Sequence, residues 1–174
     1  MKSLNKGNFL AERVSKTSER ALTFDELQSF GTDNIPFPKN ALIELTSNCN
    51  HACVFCTNPR MKRAPGKLDV DFFEKFMSDA SSLGLEEIGF YTTGEPLMSK
   101  NLIDFIKIAK SSNIRYIYIT TNGALASIEK IKTLIDAGLN SIKFSINAAS
   151  RETYELIHGK DDFDIVLKNL KDLR

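Results

Sequence analysis

The chain has 174 residues, enough for one domain with a real hydrophobic core. It is 42% hydrophobic and 26% charged with a formal net charge of +1, so composition gives no case for a nucleic-acid or acidic partner. No apolar run approaches a membrane span and no apolar h-region opens the chain, so the expectation is a cytoplasmic globular protein. Residues 1–39 read as an N-terminal extension. Its first part is polar and basic, with Lys2, Lys6, Arg13, Lys16 and Arg20 interleaved with Glu12 and Glu19, as in a tail or a surface arm. Thr23 and Glu26 then stand as a capping box for a short helix to about Phe30. A linker with two prolines follows, up to Lys39.

From Ala41 onward strand and helix patterns alternate through residues 40–174. A first strand is expected over 41–46, ahead of a loop that carries every cysteine and the basic run Arg60-Met61-Lys62-Arg63. Phe73, Phe76, Met77 and Ala80 recur at helical spacing, which predicts a helix over 70–82 with Asp69 as its N-cap and Gly84 beyond its end. A strand over 87–92 leads into Thr93-Gly94-Glu95-Pro96. A helix over 101–111 has Leu102, Phe105, Ile106 and Ala109 on one face. A strand over 116–120 runs into Thr121-Asn122-Gly123, a helix over 126–137 stops at Gly138, and a strand over 141–146 ends at Asn147. Two helical pieces, 151–158 and 163–173, close the chain. Such alternation predicts parallel βαβ units and an α/β fold, with functional loops at the carboxyl ends of the strands. The cysteines, Gly94-Glu95-Pro96, Asn122-Gly123 and Asn147 all fall on that rim.

Cys49, Cys53 and Cys56 sit within eight residues in a C-x3-C-x2-C pattern. A loop this short brings three sulfurs to one point, and thiolates are soft ligands that select iron–sulfur clusters, zinc or copper(I). A [4Fe–4S] cube held by three cysteines keeps one iron for another ligand. A structural zinc site made of the three cysteines and His51 is the alternative. An odd count argues against disulfides.

The pattern C-x3-C-x-aromatic-C after a first strand, with Phe55 as the aromatic, resembles the cluster loop of the radical S-adenosylmethionine (radical SAM) enzymes. Gly94-Glu95-Pro96 resembles the GEP element of that family, with Thr93 where many members carry another glycine. The resemblance implies a partial TIM-type (β/α) barrel, with four βα units here of about six in the family. The chain is therefore expected to be a fragment or a short member, with strand four as an edge. The loop and the GEP element also resemble the branch that carries a C-terminal auxiliary-cluster domain of the SPASM type; with no second set of cysteines, these 174 residues are expected not to include it.

What the resemblance implies about the site follows residue by residue. Cys49, Cys53 and Cys56 are the metal ligands. Gly94, Glu95 and Pro96 contact the methionyl ammonium of S-adenosylmethionine, Asn122 lines the cofactor pocket, Ser145 and Asn147 meet its ribose and carboxylate, and Phe55 lies near its adenine. No catalytic residue is assigned. The activity implied is reductive cleavage of S-adenosylmethionine to a 5′-deoxyadenosyl radical that abstracts hydrogen from a small-molecule or peptide substrate. The electron comes from a donor such as flavodoxin or ferredoxin. The alternative is a non-catalytic metal-binding module. His51 is expected to face solvent or stand behind the ligands, and His158 to be a helix C-terminal residue favoured by the helix dipole. The direction of Glu44 is left open.

Overall fold

The computed structural model describes residues 37–174, so the expected capping-box helix near Thr23 lies outside the described residues. Four parallel strands form one sheet in the order β1-β2-β3-β4: β1 Asn40–Ile43, β2 Glu87–Phe90, β3 Tyr116–Thr121 and β4 Ser141–Phe144. Between them run α1 Val70–Ser82, α2 Leu102–Ser111 and α3 Ile128–Ala137. After β4 come α4 Arg151–His158 and α5 Phe163–Asp172.

Strand order follows chain order without a reversal. Crossovers of one hand then place successive helices on one face of the sheet, as in a barrel wall rather than a doubly wound sheet. The core confirms this. Ile88 and Phe90 of β2, and Ile117 and Ile119 of β3, are fully buried with Phe73 and Met77 of α1, Phe105 and Ile106 of α2, and Ile131 and Leu134 of α3. Phe73 and Phe105 meet edge-to-face with ring centroids 5.0 Å apart. Strand residues alternate between faces, so the opposite face carries Asn40, Glu87, Gly89, Tyr116 and Tyr118. Asn40 Nδ2 donates there to Glu87 Oε2 at 2.9 Å, and Lys143 Nζ stands 4.6 Å from the Tyr118 ring centre.

Helix ends follow their sequence signals. Asp69 accepts from the Phe72 N–H at 2.9 Å, Ser127 caps α3, and Ser150 caps α4. β1, β2 and β4 end earlier than expected, whereas β3 runs one residue further, to Thr121. At the end of β1 the chain changes partner. After Ile43 it leaves β2: Leu45 accepts from the Leu68 N–H at 2.9 Å, Thr46 forms an antiparallel bridge with Lys67, and Ser47 donates to the Gly66 carbonyl at 3.0 Å. That bridge closes the cysteine loop at its base.

Candidate functional site

The three cysteines lie on this closed loop and all three are free thiols. Each sulfur has its own nitrogen neighbour, from a different place in the chain. Asn122 Nδ2 lies 4.0 Å from Cys49 Sγ, His158 Nδ1 lies 3.4 Å from Cys53 Sγ, and the Asn58 backbone N–H reaches Cys56 Sγ at 3.3 Å. Burial raises the Cys49 and Cys53 thiols above their ordinary value. Neighbouring charge adds to this: Glu95 and Cys56 act on Cys49, and Cys49 and Cys56 act on Cys53. Three crowded sulfurs, two of them on thiols that burial and neighbouring charge keep from ionising, each with a nitrogen beside it, suit a shared cationic centre. The donor set therefore fits a thiolate-ligated cluster.

The turn after β2 is built against the base of the loop. A Cβ on Gly94 would stand 1.8 Å from the Thr46 carbonyl oxygen, so only glycine fits there. The Glu95 N–H then donates to the Asn48 carbonyl at 2.9 Å, next to Cys49. Glu95 is buried, and its carboxylate is spent inside the protein. Oε1 accepts from the Leu97 N–H at 3.0 Å and from Thr121 Oγ1 at 2.7 Å, while Oε2 accepts from the Asn122 N–H at 2.9 Å. Burial raises its pKa above the usual carboxylate value, against the pull of those hydrogen bonds. Asn122, held by Glu95, donates from Nδ2 to Asn50 Oδ1 at 2.8 Å. Glu44 has a definite partner: its carboxylate accepts from Thr93 and pairs with Arg63. A cleft of about 240 Å³ opens beside Cys49, lined by Ser47, Asn48, Asn58, Met61 and Arg63. A larger one of about 290 Å³ lies away from the cysteines, between α2 and α3.

The end of α4 meets the other side of the loop. The Ala52 N–H donates to the His158 carbonyl at 3.0 Å and the Val54 N–H to the Ile157 carbonyl at 2.9 Å. The loop thus satisfies carbonyls that a helix end leaves unpaired. Gly159 takes a left-handed conformation with φ 65°, and a Cβ there would stand 2.7 Å from the Ala52 carbonyl oxygen.

His51 takes the second of its two expected places, behind the ligands, and His158 ends α4 as expected, though not as a cation favoured by the helix dipole. His51 is buried rather than solvent-facing, and its Nε2 pairs with Asp162 Oδ2 at 3.0 Å. Burial would raise the Asp162 carboxyl, but hydrogen bonds from Lys160 and His51 hold it below the usual range. His158 is buried, and burial followed by the neighbouring His51 lowers its pKa, which favours the neutral ring over a dipole-stabilised cation. His51, Cys53 and His158 each bring one donor atom within 4.8 Å of the others. Sequence periodicity held no signal for this grouping.

The remaining expected residues lie around this centre. Pro96 is buried at the start of a short 3-10 turn, Pro96–Met98. Ser145 donates its N–H to the Thr121 carbonyl at 2.8 Å, just past β4. Asn147 is exposed, and its N–H reaches His158 Nε2 at 3.4 Å. Phe55 is 59% exposed, with its ring edge-on to His158 at 6.3 Å.

The family profile described as Radical SAM superfamily matches residues 43–174. The chain is 35% identical over 133 residues to a GTP 3′,8-cyclase of Desulforamulus reducens, covering 74% of this chain and 40% of that protein. It is 30% identical over 123 residues to a PqqA peptide cyclase of Gluconobacter oxydans, covering 70% of this chain and 34% of that one. Among solved structures it is similar to BtrN in complex with AdoMet and 2-DOIA, with 29% identity and a TM-score of 0.59, over 72% of this chain and 54% of that one. The chain thus spans about 40% of the length of the first of these relatives. With its thiolate loop, its glycine turn and this profile match over most of its length, the chain belongs to the radical SAM superfamily.

Proposed function

We propose that this chain is the cofactor-binding core of a radical SAM enzyme. Cys49, Cys53 and Cys56 hold three irons of a [4Fe–4S] cluster, and S-adenosylmethionine takes the fourth. Members of the superfamily use both groups. The observation that carries the reading is the donor set: three free thiols on one closed loop, each with its own nitrogen neighbour. When bound, the two groups supply reductive cleavage of S-adenosylmethionine to a 5′-deoxyadenosyl radical for hydrogen abstraction from a substrate.

The protein's part is to hold and orient. Gly94 lets the turn after β2 approach the loop, Glu95 braces that turn against Asn122, and Pro96 fixes its exit. Asn122, Ser145, Asn147 and Phe55 surround the nucleotide from the ends of β3 and β4 and from the loop itself. The substrate is a small molecule or a peptide, in keeping with the names of the relatives, and the electron comes from a donor such as flavodoxin or ferredoxin. Among the described residues no helix is long and apolar enough to cross a membrane, and a cytoplasmic setting suits an oxygen-sensitive cluster.

Anaerobic reconstitution of the full-length protein tests this. Iron and sulfide near about four per chain, with 5′-deoxyadenosine released on reduction, is the expected result. One observation favours a second reading, a zinc site: His51 Nδ1 is buried without a partner close to Cys53. Stoichiometric zinc without nucleoside release would establish that reading instead.

A further inference from the structure

His158 is 1% exposed and its ring is fixed from several sides. It stacks on Tyr154 with centroids 4.2 Å apart and planes 24° from parallel, and the edges of His51 and Phe55 close around it. The Asn147 N–H donates to Nε2 at 3.4 Å, so that nitrogen presents its lone pair. A neutral ring that accepts at Nε2 carries its proton on Nδ1. Nδ1 lies 3.4 Å from Cys53 Sγ. The N–H therefore points at the sulfur.

We infer that His158 is a positioning residue that donates a hydrogen bond to the Cys53 thiolate and so raises the reduction potential of the cluster. The inference rests on the cluster reading above. An N–H directed at a ligand sulfur stabilises the more negative, reduced state more than the oxidised one, and hydrogen bonds to sulfur are among the terms that set cluster potentials. His158 also ties the cluster to α4, because its own carbonyl accepts from Ala52 in the loop at 3.0 Å. The backbone link would survive a side-chain substitution and the N–H to sulfur would not, so the two roles separate.

A redox titration followed by EPR on the anaerobically reconstituted full-length protein tests this in wild type, His158→Phe and His158→Asn. Phe keeps a ring against Tyr154 and removes the donor; Asn carries an amide N–H where Nδ1 stands. At the wild-type midpoint, the reduced-to-oxidised ratio is expected to fall about tenfold in H158F, which is about 59 mV for a one-electron couple. In H158N it should stay within about threefold of wild type. Equal midpoints at equal iron content would overturn the inference. If H158F takes up no iron, H158N is compared with His158→Gln, whose amide sits at the Nε2 position. A lower midpoint in H158Q than in H158N supports the inference, and equal midpoints overturn it. Wild-type protein that binds no cluster would sink the cluster reading and this inference with it, and iron and sulfide content reveals that before any potential is measured.

Discussion

Gly94 lies against Thr46 so closely that an added Cβ would stand 1.8 Å from the Thr46 carbonyl oxygen. Backbone meets backbone here, and no side chain can swing aside. Gly94→Ala must therefore push the turn after β2 away from the start of the cysteine loop. The expected cost is about 1–3 kcal/mol in anaerobic urea unfolding. Iron retention should fall as well, because the hydrogen bond from Glu95 to Asn48 stretches beside Cys49. A G94A protein with wild-type stability and iron content would show that the turn has room the structure denies it.

Glu95 supplies a pH-dependent counterpart. Its carboxyl lies above the ordinary value of 4.5 because burial outweighs the hydrogen bonds from Asn122, Leu97 and Thr121. A raised native value means the folded state holds this proton more tightly than the unfolded chain. The stability it contributes is fully present below 4.5 and is lost as pH rises through the native value. Glu95→Gln turns an amide N–H2 toward a buried donor and should cost about 1–3 kcal/mol near the low end of that window. Since wild type loses stability with rising pH and the amide does not titrate, the gap between the two should narrow. Unfolding curves of both proteins across the window measure it, and a gap that widens would contradict the assignment.

The cysteine loop itself yields a graded expectation. Cys49, Cys53 and Cys56 each raise or feel the charge of another thiol, so removing one relieves the crowding that favours a cationic centre. Serine at any of the three should bring iron and sulfide from about four per chain to less than about one after anaerobic reconstitution. Asn122→Ala removes the contacts of its side chain with Cys49 and Asn50 and its acceptance from the Ala124 N–H but leaves every cysteine in place, so most iron should remain while S-adenosylmethionine binding weakens. If a serine variant kept full iron, that cysteine would not be a ligand.

Local order along the chain made much of this visible in the sequence. Asp69 as a cap, the apolar stripe of Phe73, Met77 and Ala80, and Gly84 beyond them bracket α1 at Val70–Ser82, the range expected from periodicity. The strand–helix alternation likewise pointed to a parallel sheet with Gly94 and Asn122 at strand ends, and the structure sets both beside the cysteine loop. Strand ends were harder. Thr46 looks like a strand residue, but its partner is Lys67 rather than β2, and apolar alternation cannot say which neighbour a strand will take. The histidines were harder still. Cys53 and His158 are 105 positions apart, and His51 and Asp162 are 111 apart. A pairing that distant comes from the packing of α4 on the loop, and no helical or strand period encodes it.

Asn169 is another residue that periodicity hides, and it gives the last test. It lies on α5, where a buried amide interrupts the apolar face that Val166 begins. Its Nδ2 donates to the Gly123 carbonyl at 2.9 Å and lies 3.3 Å from the Ala124 carbonyl. Those carbonyls belong to the turn just after Asn122, so α5 steadies the turn that presents Asn122 to the cysteines. Asn169→Leu leaves the carbonyls short of a buried donor and should cost about 1–3 kcal/mol. Asn169→Asp should cost more, because it turns carboxylate oxygens toward carbonyl oxygens in a buried site. Amide exchange should quicken both in α5 and in the Asn122–Ala124 turn, since the two are joined through this side chain. Faster exchange in α5 alone would mean that the turn stands without its help.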